Sequence, residues 1–283
     1  MQKGRSGYPP KTSMYKNTPD LRRRREDLAS ETDTESILNR HPPKDYWGHK
    51  MKKKQEKIVR ICLVNINGIG RYARSKKSED IRKFIVEQKV DVMGLCEMGV
   101  NWSRIHAAHT FWDRTKRWVD TRRVSVAYNS RDRLARRSQP GGTATLVVDD
   151  VAHRYKSAGF DETGLGRWSW IVITGKQQCV TRIVTAYCPV KSTKGLTTVY
   201  TQQLAYFKTD PVSRFWDDLA KEVAKWHAAG EQLIVMGDWN EPVNGDNLRR
   251  WCSVLGLKEG VSHNHQGNPP LPIIEEGMLS MAF

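Results

Sequence analysis

The stretch Leu233-Ile-Val-Met236-Gly-Asp238-Trp-Asn240 decides the reading of this chain. Its apolar run predicts a short buried strand. The strand then ends in a glycine, a carboxylate, an aromatic and a carboxamide. Asp238 and Asn240 stand two apart, which aims both side chains the same way if the strand pitch persists. A carboxylate so placed can orient or deprotonate a water, and the amide can steady it or bind a phosphate oxygen. Asp and Asn also suit turns, so the stretch takes its meaning from the rest of the chain.

Three other stretches answer it in order. Val59-Arg-Ile-Cys-Leu-Val-Asn65-Ile-Asn67-Gly68 is a β-rich run that delivers two amides and ends in glycine. Asp91-Val-Met-Gly-Leu95-Cys-Glu97 is a short apolar strand closed by a carboxylate. Val180-Thr-Arg-Ile-Val-Thr-Ala-Tyr187-Cys-Pro189 ends in tyrosine and proline. Taken singly these are a turn, a solvated strand end and a core tyrosine. Four strand ends bearing Asn, Glu, Tyr and Asp-x-Asn are a constellation.

The constellation resembles the endonuclease/exonuclease/phosphatase superfamily, with its N-x-N/D-G, Q-E, Y-x-P and G-D-x-N pattern. Within it the spelling is most similar to the endonuclease domain of non-LTR (LINE-type) retrotransposons. Gly237-Asp-Trp-Asn-Glu-Pro242 and the Gly141-Gly-Thr-Ala144 segment carry that likeness. It spans about residues 58–268. It implies an α+β fold, a four-layer αββα sandwich of two mixed β-sheets flanked by helices, here lacking its last strands. It also implies metal-dependent hydrolysis of a phosphodiester without a covalent intermediate. Glu97 is then the Mg²⁺ ligand, with Asn67 completing or supporting the shell and Mn²⁺ an alternative ion. Asp238 orients or deprotonates the water. Asn65 and Asn240 hold Asp238 and a non-bridging oxygen in line, and Tyr187 donates to the phosphate or aids the leaving group.

The chain departs from the family pattern in three places. Val190 stands where many members have Asn, and Cys96 where Gln is common. The D-x-I strand and the terminal Ser-Asp-His strand are absent, and His263 and His265 precede the place where they would begin. Back-translation of the segment from Pro272 permits an I-D-G-I string in a shifted frame. The expectation is therefore a C-terminally truncated domain whose tail is out of frame and whose activity is impaired. The alternatives are a non-catalytic nucleic-acid-binding relic, or a phosphatase of the same fold.

Composition bears on the partner. The net charge is +16, from 47 Lys+Arg against 31 Asp+Glu. Such an excess favours long polyanions over a small phosphoester, so nucleic acid, DNA foremost, is the expected partner. The oligomeric state is left open. Five scattered cysteines without a CxxC pair point to a reducing compartment rather than a disulfide framework or zinc site. No membrane-length apolar run or signal-peptide core is present. The expected location is intracellular, with the nucleus one address.

Residues 1–57 are rich in Lys, Arg, Pro, Ser and Thr and poor in apolar periodicity, which predicts a disordered basic arm ahead of a domain over 58–283. The clusters Arg22, Arg23, Arg24, Arg25 and Lys52, Lys53, Lys54 suit phosphate attachment or nuclear import. Trp239 could stack on a base, although packing is the better reading. Strands are expected at 59–66, 92–95, 124–128, 143–148, 168–174, 180–187 and 233–236. Helices are expected at 78–88, with Ser78 as N-cap, and at 213–229 and 248–255.

Overall fold

The computed structural model describes residues 53–132, 136–192, 195, 197–242, 245–260 and 281–282. Alternating strands and helices build two sheets. The first contains β1 (Ile61–Asn65), β2 (Val92–Cys96), β3 (Arg122–Ala127) and β4 (Thr143–Val148), in the order β3-β4-β2-β1. The second contains β5 (Tyr155–Phe160), β6 (Trp168–Thr174), β7 (Val180–Tyr187) and β8 (Gln232–Asp238), in the order β5-β6-β7-β8. Each sheet is mixed. The pairs β1–β2 and β7–β8 are parallel, and the other pairs among these eight strands are antiparallel. A two-residue strand, β9 (Met281–Ala282), lies antiparallel to β1 on its outer side.

Helices flank both sheets: α1 (Lys76–Glu87), α2 (Phe111–Lys116), α3 (Asp149–His153), α4 (Val199–Phe207), α5 (Pro211–Ala228) and α6 (Asp246–Leu255). This is the α+β sandwich expected from the sequence. In α1, Ile81 and Ile85 join a core with Val64, Met93, Leu95 and Leu146. Pro211 opens α5, where its missing N–H costs nothing, and Asp210 caps it by accepting from the Ser213 N–H. Its stripe of Phe215, Trp216, Leu219, Val223 and Trp226 packs with Trp168 and Trp251. Among the described residues no helix is long and apolar enough to cross a membrane.

Between the sheets the chains approach closely over small residues. Thr145 Oγ1 meets Thr185 Oγ1 at 2.8 Å and the Ser169 carbonyl at 3.1 Å, so buried hydroxyls satisfy one another across the gap. Gly94 leaves room for this contact. A Cβ there would lie 2.7 Å from Met236 Cε and 2.9 Å from Thr185 Oγ1.

Some expected boundaries move. The helix expected from Ser78 begins two residues earlier. Ser75 is its cap, and accepts from the Ser78 N–H at 3.2 Å, while Ser78 is buried within the first turn. The first strand is shorter than expected because Ile58 and Val59 are exposed, outside the ladder with β2. The arm clusters Arg22–Arg25 and Lys52, the histidines His263 and His265, and most of the tail lie outside the described residues. Lys53 is described and exposed. Lys54, expected to meet phosphate, instead pairs with Asp91 Oδ1 at 2.6 Å. It ties the segment before β1 to the start of β2.

Candidate active site

Parallel pairing explains how distant residues meet. In β1 and β2 the register sets Asn65 beside Cys96, so Glu97 follows at the same sheet end. In β7 and β8 it sets Tyr187 beside Asp238. The two parallel pairs end at one end of the sandwich. There Asn65 Nδ2 donates to Asp238 Oδ2 at 2.6 Å, a bond between residues 173 apart in the chain.

The strand ends turn sharply. Asn67, Glu97 and Asn240 all take left-handed backbone, with φ of 41°, 53° and 51°. Asn is tolerant of that region and Glu is not, so the surroundings must hold Glu97 in place. They do so through paired bonds. Gly68 N–H donates to the Glu97 carbonyl at 2.6 Å, and Ile69 N–H to the Met98 carbonyl at 3.0 Å. Asn65 Oδ1 accepts from the Asn67 N–H at 3.0 Å. From α1, Lys77 Nζ donates to the carbonyls of Ile66 at 2.6 Å and Asn67 at 3.1 Å. Lys77 thus braces the loop that carries Asn67. Sequence reasoning missed it, because its spacing marks only a helix start.

Asn240 does not continue the strand pitch assumed from the sequence. The chain folds back so that Asp238 Oδ1 accepts from the Asn240 N–H at 3.2 Å, and Asn240 Nδ2 donates to the Cys188 carbonyl at 2.6 Å. Both oxygens of Asp238 therefore have a donor. Burial nevertheless raises its pKa above the ordinary carboxylate value. The Asn65 and Asn240 donors work against that shift, and the nearby charge of Glu97 adds to it. Tyr187 is buried, and its pKa is driven well above the ordinary phenol value, first by burial and then by the charge and hydrogen bond of Glu97 and the charge of Asp238. The Asn240 amide offsets part of this. Tyr187 is a neutral donor at any working pH.

A cavity of about 530 Å³ opens beside these groups. Asn67, Glu97, Gln139, Tyr187 and Val190 are among the residues that line it. Val190, where Asn was the family habit, is 51% exposed and gives this wall an apolar patch in place of an amide. Cys96 is buried, and its Sγ donates to the Ala186 carbonyl at 3.2 Å, so it serves packing between the sheets. None of the described histidines lines the cavity. Trp239 stacks on Trp216, with ring centroids 5.4 Å apart at 27°, and also meets Trp251 and Phe215. Packing accounts for it.

The donor set suits a hard divalent ion. Glu97 and Asn67 offer one carboxylate and one amide oxygen to the cavity, and Mg²⁺ characteristically keeps several waters alongside one or two protein ligands. Among the described residues no group of three His, Cys, Asp or Glu stands close enough to hold a metal ion by itself, so an ion here would rest on few protein ligands and water. The charges acting on Asp238 and Tyr187 are carboxylates. That local excess of negative charge, within a chain of net charge +16, favours a cation.

An αββα sandwich with Asn, Glu, Tyr and Asp gathered at one end of its parallel pairs defines a class of hydrolases that act on phosphoesters. Residues 62–273 match the family described as Endonuclease/Exonuclease/phosphatase family, and the chain belongs to it. Members hydrolyse phosphodiester bonds in nucleic acids or act on other phosphates, typically with divalent metals. No curated protein matches the chain. Solved structures similar to it include the human Nocturnin catalytic domain, at 15% identity, over 70% of this chain and 72% of that one, with a TM-score of 0.44. Another is an AP endonuclease from Archaeoglobus fulgidus, at 14% identity, over 70% of each chain, with a TM-score of 0.43.

Proposed function

We propose that this chain is a Mg²⁺-dependent nuclease that hydrolyses phosphodiester bonds of DNA, in the manner of a retrotransposon endonuclease domain. The observation that carries the proposal is the Asn65–Asp238 hydrogen bond of 2.6 Å, formed where Glu97 and Tyr187 meet the cavity. Asp238 accepts a proton from, or orients, the attacking water. Its raised pKa makes it a better base than an exposed carboxylate, and Asn65 fixes its direction. Tyr187 stays protonated and donates to a phosphoryl oxygen. Glu97 and Asn67 would hold Mg²⁺, which when bound polarises the phosphate and offsets charge on the leaving oxygen.

The charge of +16 favours a long polyanion over a small phosphoester. The spelling Gly237-Asp-Trp-Asn-Glu-Pro242 supports the retrotransposon reading, and the arm's arginine cluster suits a nuclear address. The test compares supercoiled plasmid with an inositol phosphate in Mg²⁺. Nicking of the plasmid with no release of phosphate from the small ester is the expected result. Faster attack on the small ester would refute a nuclease.

A further inference from the structure

A surface beside the cavity shares only Asn67 and its brace Lys77 with the chemistry above. It is built from two segments, residues 66–78 and 98–112. Neither contains an Asp or Glu, and together they hold Arg71, Arg74, Lys76, Lys77 and Arg104. They touch at the site itself, where a Cβ on Gly99 would lie 2.9 Å from Gly68 Cα. Further out they are stapled by Arg114. This guanidinium is fully buried, donates through Nη1 to the Gly70 carbonyl at 2.9 Å and through Nε to the His109 carbonyl at 2.8 Å, and lies 5.1 Å from the Trp102 ring centroid. Among the described residues its Nη2 has no partner, and it makes no ion pair. Burial pushes its pKa down to about 10, so it is still a cation at neutral pH. A buried charge without a counter-ion is costly. This one sets positive potential beneath both segments.

Rings cluster on the same two segments. Tyr72 is 60% exposed and meets His109 edge-on at 6.0 Å, and the exposed His106 lies 6.1 Å from His109. Arg71, Arg74 and Arg104 are exposed and make no ion pair with the described residues, whereas Arg82, Lys116 and Arg249 elsewhere on the surface are paired with acids along their own helices. The whole-chain charge is not an arm effect either. Residues 1–57 carry fifteen Lys+Arg and eight Asp+Glu, so more than half of the +16 belongs to the domain that follows.

We propose that this face holds an unpaired stretch of nucleic acid next to the cleaved bond, with Arg71, Arg74 and Arg104 on its phosphates and Tyr72 and His106 against its bases. Exposed rings between free arginines are the means by which proteins hold single strands, because base faces are open to stacking only when unpaired. In a duplex those faces are covered, and the rings would add nothing. The inference rests on nucleic acid being the substrate.

The test is fluorescence anisotropy of the full chain in EDTA, which prevents turnover. The probes are a labelled single-stranded oligonucleotide and a hairpin duplex of matched charge. Tyr72→Ala is expected to weaken single-strand binding by roughly 5-fold or more, in line with the loss of one stacked base, and duplex binding by less than about twofold. Tyr72→Phe keeps the ring and should bind as the parent does. Replacing Arg71, Arg74 and Arg104 together by Gln should flatten the single-strand log–log salt slope by about 2. These side chains are exposed, so melting temperatures should match the parent. Tyr72→Ala binding single strands as well as the parent, or losing both probes equally, would overturn the proposal. So would an unchanged salt slope in the triple variant. A parent that binds neither probe would instead defeat the nucleic-acid reading from which the inference starts.

Discussion

Asn65 makes two bonds with one amide. Its Nδ2 fixes Asp238 across the sheets, and its Oδ1 fixes the N–H of Asn67. Asn65→Ala leaves Asp238 buried with one donor fewer. That donor lowers the Asp238 pKa, so its loss should raise the pKa further. Since the base must be ionised to act, the acid limb of the pH–rate profile should move to higher pH, and turnover at neutral pH should fall by roughly 10²-fold. A profile that keeps its acid limb in place would show that Asn65 does not act through Asp238. The meeting of Asn65, Glu97, Tyr187 and Asp238 at one end of the sandwich was open to inference from four motif-bearing strand ends. The left-handed turn of Asn240 was not, since it depends on the Cys188 carbonyl 52 residues away.

At the scale of elements, the sandwich depends on close approach at Gly94. Gly94→Ala would press on Met236 Cε, Thr185 Oγ1 and Leu63 Cδ1, all within 3.0 Å of the new Cβ. The methionine and leucine tips can swing aside, but Thr185 is held in the hydroxyl ladder. The expected cost is about 1–3 kcal/mol, read as a lower midpoint in urea with the slope unchanged. No change in midpoint would mean that the sheets have room to part. The same physics separates what was legible in the sequence from what was not. β4 and β7 showed themselves as apolar runs buried along most of their length. β5, Tyr155-Lys-Ser-Ala-Gly-Phe160, has no buried residue and contains a glycine that makes room for Trp170, so neither periodicity nor propensity marks it. The six residues of α2 are too few to show a helical period, and its N-cap Thr110 needs the structure to be seen as one.

For the whole molecule, charge is divided between a lightly basic leader and a strongly basic domain. Removing residues 1–46 leaves the Lys54–Asp91 tether in place. It should therefore leave most of the DNA affinity and remove only the contacts of Arg22–Arg25. The log–log salt slope is expected to flatten by about 3, without any change in sequence preference, because an arm that touches phosphates reads no bases. A slope equal to that of the full chain would exclude the arm from binding. The account stands most directly on one measurement, the nicking of supercoiled plasmid by the full chain and by Asp238→Ala, each with Mg²⁺ and with EDTA. The parent should nick in Mg²⁺ and stop in EDTA, and Asp238→Ala should lose turnover while melting at nearly the parent's temperature. Cleavage that survives EDTA, or an Asp238→Ala chain that cuts as fast as the parent, would contradict metal-dependent hydrolysis at this site.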